Sequence, residues 1–228
     1  MRRFYKNVSL GDDFCILLDG KPVKTPAKVR LTLPTLPLAE AIAQEWRAQV
    51  DEIMPESMPL TKLANTAIDR VPLLQDGLVA ELLGFGRSDL LCYRALDSVE
   101  LIARQEEGWD PLLNWADRAM GARFKTTQGV GYIEQDSQTI AALDRVLRAE
   151  DGWVLTALHT ATTITGSLVL AVAMAKGRLT AAQAFVLSRI DEAFQAEKWG
   201  ADAEAEKRAL RHGAELERAA MFIVLARA

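Results

Sequence analysis

The chain has 228 residues but only two cysteines, Cys15 and Cys92, and no CxxC. So few thiols, so far apart, argue against a disulfide framework and fit a reducing compartment. Histidine is as scarce: His159 and His212 are too few for the usual zinc constellations. The motifs of common chemistries are missing too. There is no GxxxxGK[ST] phosphate loop, no GxGxxG, no GxSxG and no HExxH. The nearest fragment, GFGRS at 84–88, lacks the third glycine and a preceding strand. No internal repeat, low-complexity linker or signal-peptide core is visible. Net charge is −4, which gives general nucleic-acid binding little electrostatic support.

One apolar run is long enough to consider as a membrane span. Residues 154–175 reach the roughly 20 needed, but they include His159, five threonines and Ser167. Those groups are costly in lipid, whereas a protein interior offsets them with local hydrogen bonds. The segment therefore reads as a helix in a helical core, with His159 a hydrogen-bonded core residue.

Half of the residues are hydrophobic and a quarter charged, as in a folded globular protein. The first 35 residues read as β-structure. FYKNV and FCILL are rich in aromatic and branched residues, Asp19-Gly20 is a hairpin signal, and VRLTL gives another short strand. These predict a twisted sheet of three or four strands. From Pro37 the period becomes helical. Helices are predicted over LAEAIAQEWRAQV, over the segment after Leu60 with Thr61 as N-cap, over 73–85, and over 97–119 with an interruption at Pro111. A hairpin follows near 122–135, then a helix capped by Ser137. Two long helices, about 153–175 and 181–210, precede a short apolar one around ERAAMFIVLA. The fold class is α+β: a small N-terminal antiparallel β domain (1–36) followed by a larger, mainly α-helical domain (37–228).

Charge is uneven along this plan. Residues 1–30 carry seven Lys or Arg against three Asp, and residues 191–206 carry six acids against Lys198. Thr180 and Gln183 form a capping box, so the acidic helix starts near Ala181. Val186, Leu187, Ile190, Phe194 and Ala201 make one apolar stripe. Glu197 falls within it, as a buried carboxylate or at a solvated edge. The opposite face carries Asp191, Gln195, Trp199 and Asp202, with Phe185, Glu192, Ala203 and Glu206 beside them. A large aromatic ringed by polar groups is the anatomy of a protein-binding hot spot. The plainer reading packs Trp199 against a neighbouring helix, and both stand. The acids are too dispersed for a metal loop.

The stretches RRFYK, LDGKPVKTP, LAEAIAQEW, MPLTKLANTAIDRV, WDPLLNWA and LSRIDEAFQAEKWG together resemble the family of assembly chaperones for the catalytic head of F-type ATP synthase, the alpha-subunit-binding, "ATP twelve" type. The resemblance runs from residue 2 to about 200. It implies a small β domain followed by a helical one, no enzymatic activity and no cofactor. It also implies that the partner is the unassembled alpha subunit, held at the surface that later pairs with beta. Neither nucleic acid, a small-molecule substrate nor membrane integration is implied. The helix motif it points to is Asp191, Phe194, Gln195, Trp199 and Gly200; with Glu192 on the same face these are the expected partner-binding residues, and the basic N-terminal strands are expected as a further contact. Trp46, which also matches, reads as an anchor between the first helix and the sheet. The absence of a targeting extension before Met1 resembles the bacterial, cytoplasmic form, mitochondrial matrix forms having one. The competing expectation is a small carboxylate enzyme built from Glu197, His159 and Asp69.

Overall fold

In the computed structural model, which describes residues 1–200 and 202–228, the chain forms two compact units. One comprises Met1–Gln75, Asp151–Ala157 and Arg218–Ala228, and the other Asp76–Glu150 and Leu158–Glu217. The unit holding the N-terminal strands thus extends well past residue 36. Among the described residues, no helix is long and apolar enough to cross a membrane.

The first unit is built on a three-stranded antiparallel sheet of β1 (Val8–Leu10), β2 (Ile16–Leu18) and β3 (Lys21–Pro22), in that order. The β2–β3 turn is Asp19-Gly20, both residues at positive φ (48° and 78°), the geometry of a two-residue hairpin. The Asp19 carboxylate also accepts from the Lys6 and Asn7 amides and so ties the entering chain to the turn. VRLTL contributes only isolated bridges, Lys24 to Arg30 and Cys15 to Thr32, rather than a fourth strand.

Helix α1 (Leu36–Arg47) is capped by the Thr35 hydroxyl and buries Leu38, Ala39, Ile42 and Ala43 on one stripe. Tyr5, Leu18, Ile53 and Met58 form a buried cluster on which Val8, Val23 and Trp46 pack. The Tyr5 ring lies 5.8 Å from that of Trp46, and its hydroxyl donates to the Trp46 carbonyl. Helix α2 (Pro59–Asp69) starts three residues earlier than expected, with Met58 rather than Thr61 at the N-cap position. Thr61 lies inside it and is not its cap. Pro59 lacks an amide hydrogen, and the next two amides, Leu60 and Thr61, both donate to the Glu45 carboxylate at 2.8 Å. A side chain from α1 therefore does the capping, which no local pattern announces.

Helix α3 (Val71–Arg87) has non-helical geometry at Leu74. In the second unit β4 (Tyr93–Arg94) precedes α4 (Val99–Met120), and β5 (Thr127–Gln128) pairs with β4 in parallel. The hairpin expected over 122–135 is therefore absent; Gln135 instead bonds both the amide and the carbonyl of Lys125. Helix α4 runs unbroken through Pro111. Helix α5 (Ser137–Arg148) has Asp136, not Ser137, at the N-cap position.

Each of the two long helices expected near the C-terminus is broken. Helix α6 (Gly152–Thr165) ends at Gly166, which turns left-handed (φ 67°), and Ser167 caps α7 (Leu168–Ala175). All eight residues of α7 are buried. The second stretch divides into α8 (Ala181–Ser188), α9 (Ile190–Trp199) and α10 (Ala203–Ala226). The apolar ERAAMFIVLA segment is the end of α10.

Candidate functional site

The α8–α9 break creates the site. The Thr180 hydroxyl accepts from the Gln183 amide and the Gln183 carboxamide from the Thr180 amide, so the capping box forms as expected. The helix then stops at Arg189 (φ −119°). The Leu187 carbonyl instead accepts from the indole N–H of Trp109, which is fully buried on α4. Beside it Gly108 lets the helices approach: a Cβ there would lie 2.9 Å from both Leu187 Cδ2 and Ile190 Cδ1.

The first turn of α9 carries Asp191 and Glu192, whose negative charge suits a helix N-terminus. Asp191 is half-buried and accepts from Gln105 Nε2 at 2.7 Å; Gln105 in turn accepts from the Ala95 amide. Phe194 is buried beneath two cations, Arg104 at 5.3 Å and Lys198 at 5.1 Å from its ring centroid. The same cations neutralise the edge acids. Arg104 pairs with Glu197 at 2.8 Å and Glu100 at 3.0 Å, and Lys198 with Glu100 at 3.0 Å. The Arg104 hydrogen bond holds the Glu197 carboxyl below its ordinary pKa, as the Lys198 bond does for Glu100. Glu197 therefore occupies the exposed edge as a clasp between α4 and α9. Val186 leaves the expected apolar stripe, being 67% exposed. Ala201 lies outside the described residues.

The other predicted residues converge. Glu192, Gln195, Trp199 and Gly200 line one groove of about 700 Å³, closed by the α6 terminus and by Glu206 and His212 of α10. Trp199 is 79% exposed on it, so the plainer reading, in which it packs on a neighbouring helix, does not hold. Asp202 also borders the groove, but its carboxylate accepts from the Glu204 and Ala205 amides and caps α10. Four of the six acids are thus committed: Asp191 to Gln105, Glu197 to Arg104, Asp202 to the cap and Glu204 to Lys207. Among the described residues no hydrogen bond or ion pair engages the carboxylates of Glu192 and Glu206. Asp191 and Phe194 do not line the groove; they fix the helix that presents it.

The residues of the enzyme expectation have separate partners. His159 is half-buried with Nε2 3.1 Å from Glu81, Glu197 binds Arg104, and Asp69 accepts from the Thr25 hydroxyl and the Ala27 amide. Among the described residues no cluster of three or more His, Cys, Asp or Glu is placed to hold a metal ion.

Sequence reasoning missed the groove's support. Asp89 is fully buried, and its carboxylate accepts from the Leu91 and Val169 amides at 3.1 Å, joining β4's lead-in to the start of α7. Burial pushes its pKa up to about 6 against these bonds and one from Ser167. An acid directly before Leu90-Leu91-Cys92 is a capping signal that was available. Gln105 and Trp109 gave no signal beyond a helical period.

The family described as ATP12 chaperone protein matches residues 2–117. Protein atp12, mitochondrial, of Schizosaccharomyces pombe is 26% identical over 221 residues, covering 90% of this chain and 76% of its own length. The crystal structure of Atp12 from Paracoccus denitrificans is similar over 99% of this chain and 98% of that one, with 42% identity and a TM-score of 0.94. An aspartate-to-lysine mutant of the P. denitrificans protein is similar with a TM-score of 0.95 and 42% identity over the same shares.

Proposed function

The chain belongs to the ATP12 chaperone family, and from that premise we propose that this ATP synthase assembly chaperone holds the unassembled alpha subunit, covering the surface that later pairs with beta. The observation that carries this reading is Trp199, 79% exposed on a groove whose edges are the polar side chains Glu192 and Gln195. An isolated subunit of an obligate assembly exposes a broad apolar interface that aggregates unless covered. A protector needs aromatic area for affinity and polar groups for register, yet must let go, which favours a partly polar contact. The groove supplies both. Asp191 and Phe194 set the pose of α9, Gly200 lines the groove beside Trp199, and the basic N-terminal strands offer a separate contact. Membership of a chaperone family favours a binding role over catalysis. In this reading the protein acts in the cytoplasm and uses no cofactor.

The test is capture of separately purified alpha and beta subunits by wild-type, Trp199→Ala and Asp191→Lys proteins of unchanged circular dichroism. Alpha is retained and beta is not, and Trp199→Ala weakens capture about tenfold or more, as hot-spot aromatics do. Equal capture of both subunits, or full capture of alpha by both variants, overturns the reading.

A further inference from the structure

A second groove runs between α8 and α10, and we propose that it seats a three-turn amphipathic helix of another protein, one carrying a basic residue near each end. On α10, Glu206, Leu210, Gly213 and Glu217 follow at i, i+4, i+7 and i+11, so they share one stripe. Ala182 and Val186 of α8 face them across a volume of about 710 Å³. The floor is Phe185, whose ring lies against Gly213 of α10, close enough that a Cβ there would sit 3.5 Å away, in ordinary contact. Val186 and Leu210 stand 67% and 75% exposed, apolar side chains with nothing over them.

Charge selects the occupant. The charged residues of this lining are Glu206 and Glu217, one at each end of the stripe. Eleven residues of helix rise about 16 Å, which is three turns. A helix lying in the groove therefore matches it with apolar residues at i, i+3, i+4 and i+7 between two Lys or Arg about eleven positions apart. A second copy of this chain fits poorly, because two-fold pairing of the groove with itself brings the four carboxylates together. The inference does not depend on which subunit the Trp199 groove holds.

The probe is a fluorescein-labelled helical peptide with leucines at i, i+3, i+4 and i+7 between two lysines eleven positions apart, and a twin with glutamates in place of the lysines. Anisotropy titrations with the full chain are expected to show tighter binding of the lysine peptide, weakening as salt is raised. Leu210→Glu reduces binding about tenfold or more, the loss of one buried leucine contact. Glu217→Lys shifts the preference toward the glutamate peptide; Glu217 is chosen because Glu206 also borders the Trp199 groove. Val186→Asp is the second variant should Leu210→Glu lose its fold. Equal binding of the two peptides, no loss in either apolar variant, or a dimer in sedimentation that Leu210→Glu disperses would overturn the proposal.

Discussion

Replacing Asp89 with asparagine removes a titration that should make this protein more stable in mild acid. The carboxyl is fully buried, and burial raises its pKa from 3.8 to about 6 despite the amides of Leu91 and Val169 and the Ser167 side chain that favour the charge. Between those values the folded chain binds the proton and the unfolded chain does not, so stability falls as pH rises through the window. At about 1.4 kcal/mol for each pH unit, the rise is worth about 3 kcal/mol. Below 3.8 both states are protonated and the penalty is absent; above 6 it is complete. The Cys92 thiol, which burial and the nearby Asp89 charge push up, stays protonated throughout. Urea unfolding of wild type and Asp89→Asn from pH 4 to pH 7 measures the effect. Asparagine imposes a constant offset of about 1–3 kcal/mol, because its amide faces N–H donors. The wild-type advantage then shrinks by about 3 kcal/mol across the series. Exposed acids with lowered pKa, such as Glu100 and Glu197, act in the opposite direction but cancel between the two proteins. A pH-independent difference, or one that grows toward pH 7, would show that the amide donors outweigh burial and would refute the reasoning.

Other consequences are as direct. Glu45→Ala strands the Leu60 and Thr61 amides and the Thr61 hydroxyl and should cost about 2–3 kcal/mol in thermal or urea unfolding; a loss under 0.5 kcal/mol would mean that water replaces the cap without cost. Gly108→Ala places a methyl 2.9 Å from Leu187 and Ile190 and should destabilise by about 1–3 kcal/mol, with faster amide exchange over α9 than over α5. Trp199→Ala, at a side chain 79% exposed, should change stability by less than about 0.5 kcal/mol while weakening capture of the alpha subunit. A large stability loss there would recast the tryptophan as a packing residue.

Features written in adjacent residues were legible in the sequence. The Asp19-Gly20 turn needs only a pair of residues at positive φ, and the Thr180–Gln183 box lies within a single turn of helix. The β-to-α change near residue 36 follows from period alone. What escaped depends on distant partners. The α8–α9 break has no glycine or proline to mark it and is completed by Trp109, 78 positions away. The cap of α2 is held by Glu45, and the partner of Thr127–Gln128 is Tyr93–Arg94 rather than the neighbouring segment. The α6–α7 break did carry its mark, Gly166-Ser167, but α7 is buried on every side, so the apolar run hid the interruption. At the site, exposure of Trp199 was one of two open readings. The division of labour, with Phe194 and Asp191 holding α9 while Glu192, Gln195 and Trp199 face the groove, required α4 in place.

The interleaved composition of the sheet-bearing unit bears on how this chaperone is itself made. Met1–Gln75 shares that unit with Arg218–Ala228, and the Thr35 hydroxyl that caps α1 also donates to the Leu225 carbonyl. Translation delivers the N-terminal strands first, yet Leu225, which completes the unit at Thr35, lies 190 residues further on. At about 5–20 residues per second the unit waits on the order of ten to forty seconds for completion. Throughout that interval the Thr35 hydroxyl is without its Leu225 acceptor and the unit lacks its C-terminal piece. An assembly chaperone thus passes, during its own synthesis, through a period in which its own first unit is unfinished.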